Sequence, residues 1–195
     1  LYTTDPLKQD AFIQSALNRS YQVLKMDGML DNHFINNMEM KLEHTRWKRV
    51  DSDSIDKLVE KDEKKESVLT KDEEEKVKKI FTDAISNAST TVELESLSVD
   101  DLPVTVIQPE FMRRMKDMSK LGGGPMMMGN MPDQYNTVVN ANHSLISGIL
   151  KEQDAEKQKG LALQAYELAL LSQNMLTGNA LTKFIARSVD MLSKS

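Results

Sequence analysis

Apolar positions toward the carboxy-terminal end of the chain recur with the period of a helix. Leu181, Phe184, Ile185, Val189 and Leu192 fall at i, i+3, i+4, i+8 and i+11, one continuous face of a helix that begins near Ala180. A helix from about Ala155 to Gln173 precedes it, with Leu161, Ala162, Ala165, Leu168, Ala169 and Leu171 on one stripe and Lys157, Gln158, Gln164 and Glu167 mostly off it. The short Leu176-Thr177-Gly178-Asn179 connection makes the two helices antiparallel neighbours, and together they carry more apolar surface than one hairpin can bury. A second copy of the hairpin covers the remainder in a four-helix bundle. The residues expected at that dimer interface are Leu161, Leu168, Leu171, Leu181, Phe184, Ile185, Val189 and Leu192.

The patterning is more mixed toward the amino terminus. Asp5-Pro6 reads as an N-cap followed by proline at the first helical position, with Leu7, Ala11, Ile13, Ala16 and Leu17 forming an inward face up to about Ser20. Tyr21 to Leu24 reads as a short strand. A helix from about Met29 to Leu42 places Leu30, Phe34, Met38 and Leu42 at four-residue spacing, and Thr45 to Val50 reads as an edge strand. From Asp51 to Glu66 the sequence turns charged, with Ile55, Leu58 and Val59 as its large apolar residues, so a solvated helix or linker is expected.

Thr70 and Glu73 then make a capping box, and Val77, Ile80, Phe81, Ala84 and Ile85 form the inward face of a helix to about Asn87. Thr91 to Leu97 alternates at period two, Pro103 to Ile107 and Tyr135 to Asn140 read as two more strands, and a short helix is expected from about Glu110 to Lys120. Helices from about Ser144, Ala155 and Ala180 complete the chain. The fold class is α+β: a small α/β subdomain, then a three-stranded sheet with helices and the terminal hairpin. Residues 1–51 are too few to stand alone and read as the end of a larger domain, 52–69 as a charged linker or helix, and 70–195 as a second domain.

Composition narrows the choice of function. The formal charge of -5 is mild and interleaved in sign, so neither nucleic acid nor a membrane surface is an expected partner. With no cysteine there is no disulfide framework, thiolate nucleophile or cysteine metal site, which favours a reducing compartment and the cytoplasm. No apolar run approaches the roughly 20 residues of a membrane-spanning helix. The chain opens Leu1-Tyr2-Thr3-Thr4, with no initiator methionine and no signal-peptide pattern, and reads as a piece of something longer.

Candidate chemistry is sparse. His33, His44 and His143 lie in different segments without a second histidine or carboxylate at ligand spacing, so no metal is expected and hydrogen-bonding roles suffice for them. Gly122-Gly123-Gly124-Pro125 leads into methionines rather than Lys-Ser/Thr, which makes it a loop and not a phosphate cradle. The acidic run Asp72 to Glu75 sits where a helix dipole favours negative charge. Nothing resembles a nucleophile elbow, and no polar constellation supports a small enzyme.

One feature does point to binding. Met112, Met115, Met118, Met126, Met127, Met128 and Met131 are more than half of the chain's 13 methionines. Phe111, Met115 and Met118 share a helical face with Met112 beside them, and glycines and prolines follow. Methionine is flexible and polarizable, so such a face adapts to many apolar partners. The competing reading is that the helix packs into the core and the molecule is a purely architectural homodimerisation scaffold with no client-binding surface.

Four stretches resemble the C-terminal domain of the ninety-kilodalton heat-shock chaperone family in its bacterial branch. They are Leu102 to Val106, Glu110-Phe111-Met112-Arg113-Arg114-Met115, Tyr135 to Ile146, and Tyr166-Glu167-Leu168-Ala169-Leu170-Leu171, and the likeness runs in order over about residues 70 to 195. Residues 1 to about 51 resemble the last α/β part of the same family's middle domain. Where the family turn reads Asn-Pro-x-His, this chain has Asn140-Ala141-Asn142-His143, and its glycine and methionine tract is longer than the family's.

The resemblance implies a homodimer held by the last two helices of each protomer and a cleft that holds unfolded or partly folded client proteins. Carried over by position, the client-facing residues are Phe111, Met115 and Met118, with Met112 and Leu121 as neighbours and Asn36 on the middle-domain side. It also implies that ATP and magnesium belong to an N-terminal domain of the parent, so that this portion binds no cofactor and is not itself an enzyme. Met191-Leu192-Ser193-Lys194-Ser195 follows the last helix with neither an acidic cochaperone tail nor a Lys-Asp-Glu-Leu signal, which in that family implies a bacterial, cytoplasmic type.

Overall fold

The computed structural model describes residues 1–28, 30–59, 65–85, 89–109, 112 and 134–193. The fold is α+β, and the described residues divide into two compact units, those within 1–60 and 108–131 and those within 61–107 and 132–195.

In the first unit, β1 (Tyr2–Thr3) pairs in parallel with β2 (Leu24–Lys25), Tyr2 opposite Leu24. On the other side of β1, Tyr2 bridges Arg49: Tyr2 N–H donates to the Lys48 carbonyl (3.1 Å) and Val50 N–H to the Tyr2 carbonyl (2.9 Å). The expected edge strand at 45–50 is thus reduced to one bridge, with Tyr2 and Val50 buried beneath it.

Helix α1 (Asp10–Leu17) starts later than the Asp5-Pro6 signal suggests. Asp5 nonetheless caps a turn there, its Oδ1 accepting from Lys8 N–H (3.3 Å) and its carbonyl from Gln9 N–H (3.0 Å), and the buried Gln9 folds back over it, its Oε1 accepting from Thr3 Oγ1 (2.6 Å), Thr4 N–H (3.0 Å) and Asp5 N–H (3.1 Å). The helix ends where Ser20 adopts a left-handed conformation (φ 61°) and Tyr21 N–H returns to the Ala16 carbonyl. Tyr21 and Val23 then pack on Ala16 with Ile55 and Leu58, so pairing with β1 begins only at Leu24 and not at Tyr21.

Helix α2 (Asp31–Lys41) buries Ile35, whereas Leu30, Phe34 and Leu42 of the four-residue row are exposed. Helix α3 (Ile55–Leu58) is one turn within the charged stretch; its Ile55 and Leu58 are buried on Ala16.

The second unit opens with α4 (Lys71–Ile85). Its capping box is complete: Glu73 Oε2 accepts from Thr70 N–H (2.8 Å) and Thr70 Oγ1 (2.9 Å), and Glu73 N–H reaches back to Thr70 Oγ1 (3.4 Å). Strands β3 (Thr90–Glu95), β4 (Val104–Ile107) and β5 (Tyr135–Asn140) form a sheet in the order β3-β5-β4. The last strand in sequence takes the centre, parallel to β3 and antiparallel to β4, with Val139 between Leu94 and Val104. Burial explains the order, since the four residues from Thr137 to Asn140 are all buried and a central strand is covered on both faces.

Helices α5 (Ser144–Lys151), α6 (Ala155–Ser172) and α7 (Gly178–Ser193) follow. Val77, Phe81, Ala84 and Ile85 of α4, Val92, Val104, Val106 and Val139 of the sheet, Ile146 and Ile149 of α5, and Ala162, Ala165, Tyr166 and Ala169 of α6 make one core. The small alanine side chains of α6 let its backbone lie close to the sheet and α4, which fixes the platform for the terminal helix.

Hydrogen bonds from Thr70, first that of its backbone N–H, hold the Glu73 carboxyl below its ordinary range. A carboxyl lowered in this way stabilises the fold above its unfolded pKa, and the contribution is lost as pH falls through the folded value. Glu73→Gln is therefore expected to lower Tm at neutral pH and to melt with the wild type once the pH is well below about 4. Thermal melts across that range check it.

Candidate interaction surface

The terminal hairpin is built by local signals that can be followed residue by residue. Asp154 caps α6, its Oδ1 accepting from Glu156 N–H (2.9 Å) and Lys157 N–H (3.0 Å). Beside that cap, a hydrogen bond and ion pair with Lys157 (2.7 Å) hold the Glu152 carboxyl below its ordinary range and raise the Lys157 amine. At the other end Met175 N–H bonds the Leu170 carbonyl and Asn174 N–H the Leu171 carbonyl, with Asn174 left-handed (φ 57°), which is the Schellman arrangement. The buried Leu176 pins the connection and α7 runs back antiparallel to α6.

A polar seam joins the two helices. Arg187 pairs with Glu167, Arg187 Nε donates to Gln164 Oε1 (2.7 Å), and Gln164 Nε2 donates to Ser188 Oγ (2.7 Å). Phe184, 6% exposed, is buried on the same side. Gln173, just past α6, donates through Nε2 to the Val106 carbonyl (2.7 Å) and so ties the hairpin to β4.

The apolar arc of α7 is wider than this inward face. At about 100° per residue, Leu181, Ile185, Val189 and Leu192 lie next to Phe184 on a flank that turns away from the seam. Ile185 is 52% exposed, Val189 61% and Leu192 78%, and on α6 Leu168 and Leu171 are exposed as well. Leu161 and Leu181 are half-buried. The eight residues expected at an interface therefore divide by role: Phe184 is satisfied within its own chain, Leu161 and Leu181 are partly so, and five present apolar surface to solvent. Periodicity located the face but not this division, which depends on where α6 crosses α7.

The other expected site residues are less gathered. Met112 is half-buried, whereas Phe111, Met115, Met118 and Leu121 lie outside the described residues. Asn36 is exposed on α2 in the first unit, and Leu30, Phe34 and Met40 are exposed as well. Phe34 sets its ring edge-on to Trp47, centroids 6.0 Å apart, a pair that the sequence reading did not single out.

Among the described residues, no group of three or more His, Asp or Glu side chains is placed to hold a metal ion, and no helix is long and apolar enough to cross a membrane. His143 serves as the cap of α5, its Nδ1 accepting from Leu145 N–H (3.0 Å). An open groove lined by Ile80, Thr82, Asp83, Ala155, Glu156, Gln158 and Lys159 runs between α4 and the start of α6. Its lining contains no histidine beside a nucleophile, and nothing in it assembles a catalytic set.

Truncation separates the two classes of apolar residue on α7. Phe184→Ala is expected to cost about 3–5 kcal/mol in chemical denaturation, as for a buried aromatic. Ile185→Ala, measured at protein concentrations too low for self-association, is expected to stay within about 1 kcal/mol of the parent.

Comparison with known proteins adds a family. The profile described as Hsp90 protein matches residues 2–195. The chaperone protein htpG of Bacteroides fragilis (strain 638R) is 29% identical over 259 aligned residues, covering 98% of this chain and 38% of that protein. The chaperone protein HtpG of Porphyromonas gingivalis (strain ATCC BAA-308 / W83) is 35% identical, covering 89% of this chain and 27% of that protein. That of Bacteroides thetaiotaomicron is 37% identical over 158 residues, with 80% and 23% covered. The chain thus spans less than two-fifths of the length of these relatives.

Proposed function

The chain belongs to the Hsp90 protein family, and from that premise we propose that it is the dimerisation and client-binding portion of an ATP-dependent molecular chaperone. In this reading α6 and α7 of two protomers form a four-helix bundle, the parent's nucleotide chemistry belongs to residues other than these, and the protein works in the cytoplasm.

The observation that carries the reading is the exposed apolar flank of the hairpin: Leu168, Leu171, Ile185, Val189 and Leu192, all on helices whose other faces are already packed. Fully burying such a side chain gains about 1.5–3 kcal/mol, so five that start roughly half-exposed gain on the order of 5 kcal/mol per protomer. Two protomers contribute twice that. After a loss of about 4 kcal/mol or more in translational and rotational freedom, about 6 kcal/mol at most remains from these side chains, a dissociation constant of roughly tens of micromolar. A twofold arrangement suits the surface because a helical hairpin presents the same stripe to its mate.

Client binding rests on different residues. Phe111, Met112, Met115, Met118 and Leu121 supply a deformable apolar face in this reading, and Asn36, exposed on α2, adds a polar contact. Unfolded chains share exposed apolar side chains and little else, so a surface rich in methionine accepts many of them.

Ile185→Asp and Val189→Asp are each expected to convert the dimer to a folded monomer, because burial of an unpaired carboxylate in the bundle costs several kcal/mol. Sedimentation reads the mass and circular dichroism the fold; a folded variant that sediments as the wild-type dimer does would overturn the interface.

The doubly substituted Met115→Ser/Met118→Ser protein is expected to remain dimeric and to lose most of its capacity to keep a denatured reporter protein from aggregating. Undiminished protection would favour an architectural scaffold instead.

A further inference from the structure

The connection from β2 into α2 carries the chain's one Asp-Gly pair: of its 8 glycines, only Gly28 follows an aspartate or asparagine. Such a pair can react with itself. When the glycine amide nitrogen gives up its proton and attacks Cγ of the protonated aspartate, an N–Cγ bond forms and the carboxyl hydroxyl leaves as water, closing a succinimide ring. Water then reopens the ring. Cleavage of the N–Cγ bond restores aspartate, whereas cleavage between that nitrogen and the former main-chain carbonyl leaves isoaspartate, with the chain running through the side chain. Glycine favours the first step because it has no Cβ to obstruct the approach of the nitrogen. Asp27 and Gly28 are both exposed, so water reaches them.

The fold holds the attacking group. Gly28 N–H donates to Asp31 Oδ2 (2.8 Å) and Asp31 N–H returns to the Gly28 carbonyl (3.2 Å), a reciprocal pair that closes the entry to α2. The carboxylate sits so close that a Cβ on Gly28 would lie 3.2 Å from both of its oxygens. A carboxylate against the N–H opposes loss of its proton, since the nitrogen anion that results would face a negative charge.

On the other side of the pair, Lys25 Nζ lies 2.7 Å from Asp27 Oδ2. That hydrogen bond holds the Asp27 carboxyl below its ordinary range, in the ionised form that does not release water. Both side chains are more than half exposed, so this restraint is the weaker of the two.

We propose that Asp27-Gly28 is a latent site of isoaspartate formation whose rate is set by the Asp31 cap on α2. With the cap made the pair is protected; when the first turn of α2 opens, the amide nitrogen is released and the ring closes. The product has one more methylene in the backbone between β2 and α2, and its displaced carboxylate is a substrate for enzymes that methylate isoaspartyl groups. The inference involves neither the hairpin nor the methionine-rich segment and is independent of the proposed function.

Incubation of the intact chain at neutral pH and physiological temperature tests this, with isoaspartate counted by enzymatic methyl transfer from labelled S-adenosylmethionine and placed by peptide mapping. A peptide spanning residues 24–34 gives the rate without the fold. The wild-type protein is expected to gain isoaspartate at position 27 on the order of ten-fold more slowly than the peptide, and Asp31→Ala on the order of ten-fold faster than the wild type, the factor carried by one charge-assisted hydrogen bond. Asp27→Glu, which would have to close a larger ring, is expected to remove the signal. Asp31→Asn keeps an acceptor oxygen and loses the charge, so its rate is expected to fall between those of the wild type and Asp31→Ala; it decides the matter should Asp31→Ala fail to fold. A wild type that reacts as fast as the peptide, or a folded Asp31 variant that reacts no faster than the wild type, would overturn the proposal.

Discussion

The constraint on which the rest depends is that α7 carries an apolar arc wider than its own chain covers. Phe184 and the seam of Gln164, Glu167, Arg187 and Ser188 use one side of the helix, and Ile185, Val189 and Leu192 are left on the flank beside it. Sliding α7 inward to bury the flank would break the seam and strand a charged guanidinium and carboxylate without partners. Polar specificity toward α6 thus leaves the apolar remainder exposed.

Helix α6, against which α7 packs, is itself firmly held. Its alanines lie against α4, the sheet and α5 in one core, and Gln173 bonds the β4 backbone. The sheet supports this through its order, because the buried β5 sits between β3 and β4 and is braced by both. An exposed stripe on a rigid support is presented without ordering cost, which is the condition under which modest apolar area gives useful affinity.

Where local signals agreed with tertiary packing, the sequence was legible. The strand read at Tyr135–Asn140 is β5, the capping box placed the start of α4, and helical spacing placed α5, α6 and α7 to within about two residues, the usual uncertainty of an end. The first unit was less legible because side chains replaced backbone signals there. A turn capped by Asp5 stands ahead of α1, and the use of Tyr21 and Val23 in a cluster displaced β2. For α2 the spacing found the helix, yet the row through Leu30 and Phe34 faces solvent while Ile35 is buried. Among the site residues, the hairpin stripe was readable as a face, but its division into self-covered and uncovered parts was not. Leu97 N–H donates to the Asn140 side chain and Val68 N–H to that of Asn142, joining positions more than forty and seventy residues apart, and no local pattern encodes that.

Light scattering of the unmodified protein across a dilution series reads the central claim most directly. The chain has a mass of 22.1 kDa, and the account predicts a particle approaching twice that mass at concentrations above about 0.1 mM which dissociates reversibly on dilution. A mass that stays at 22.1 kDa up to about millimolar concentration, where even weak specific association is populated, would contradict it.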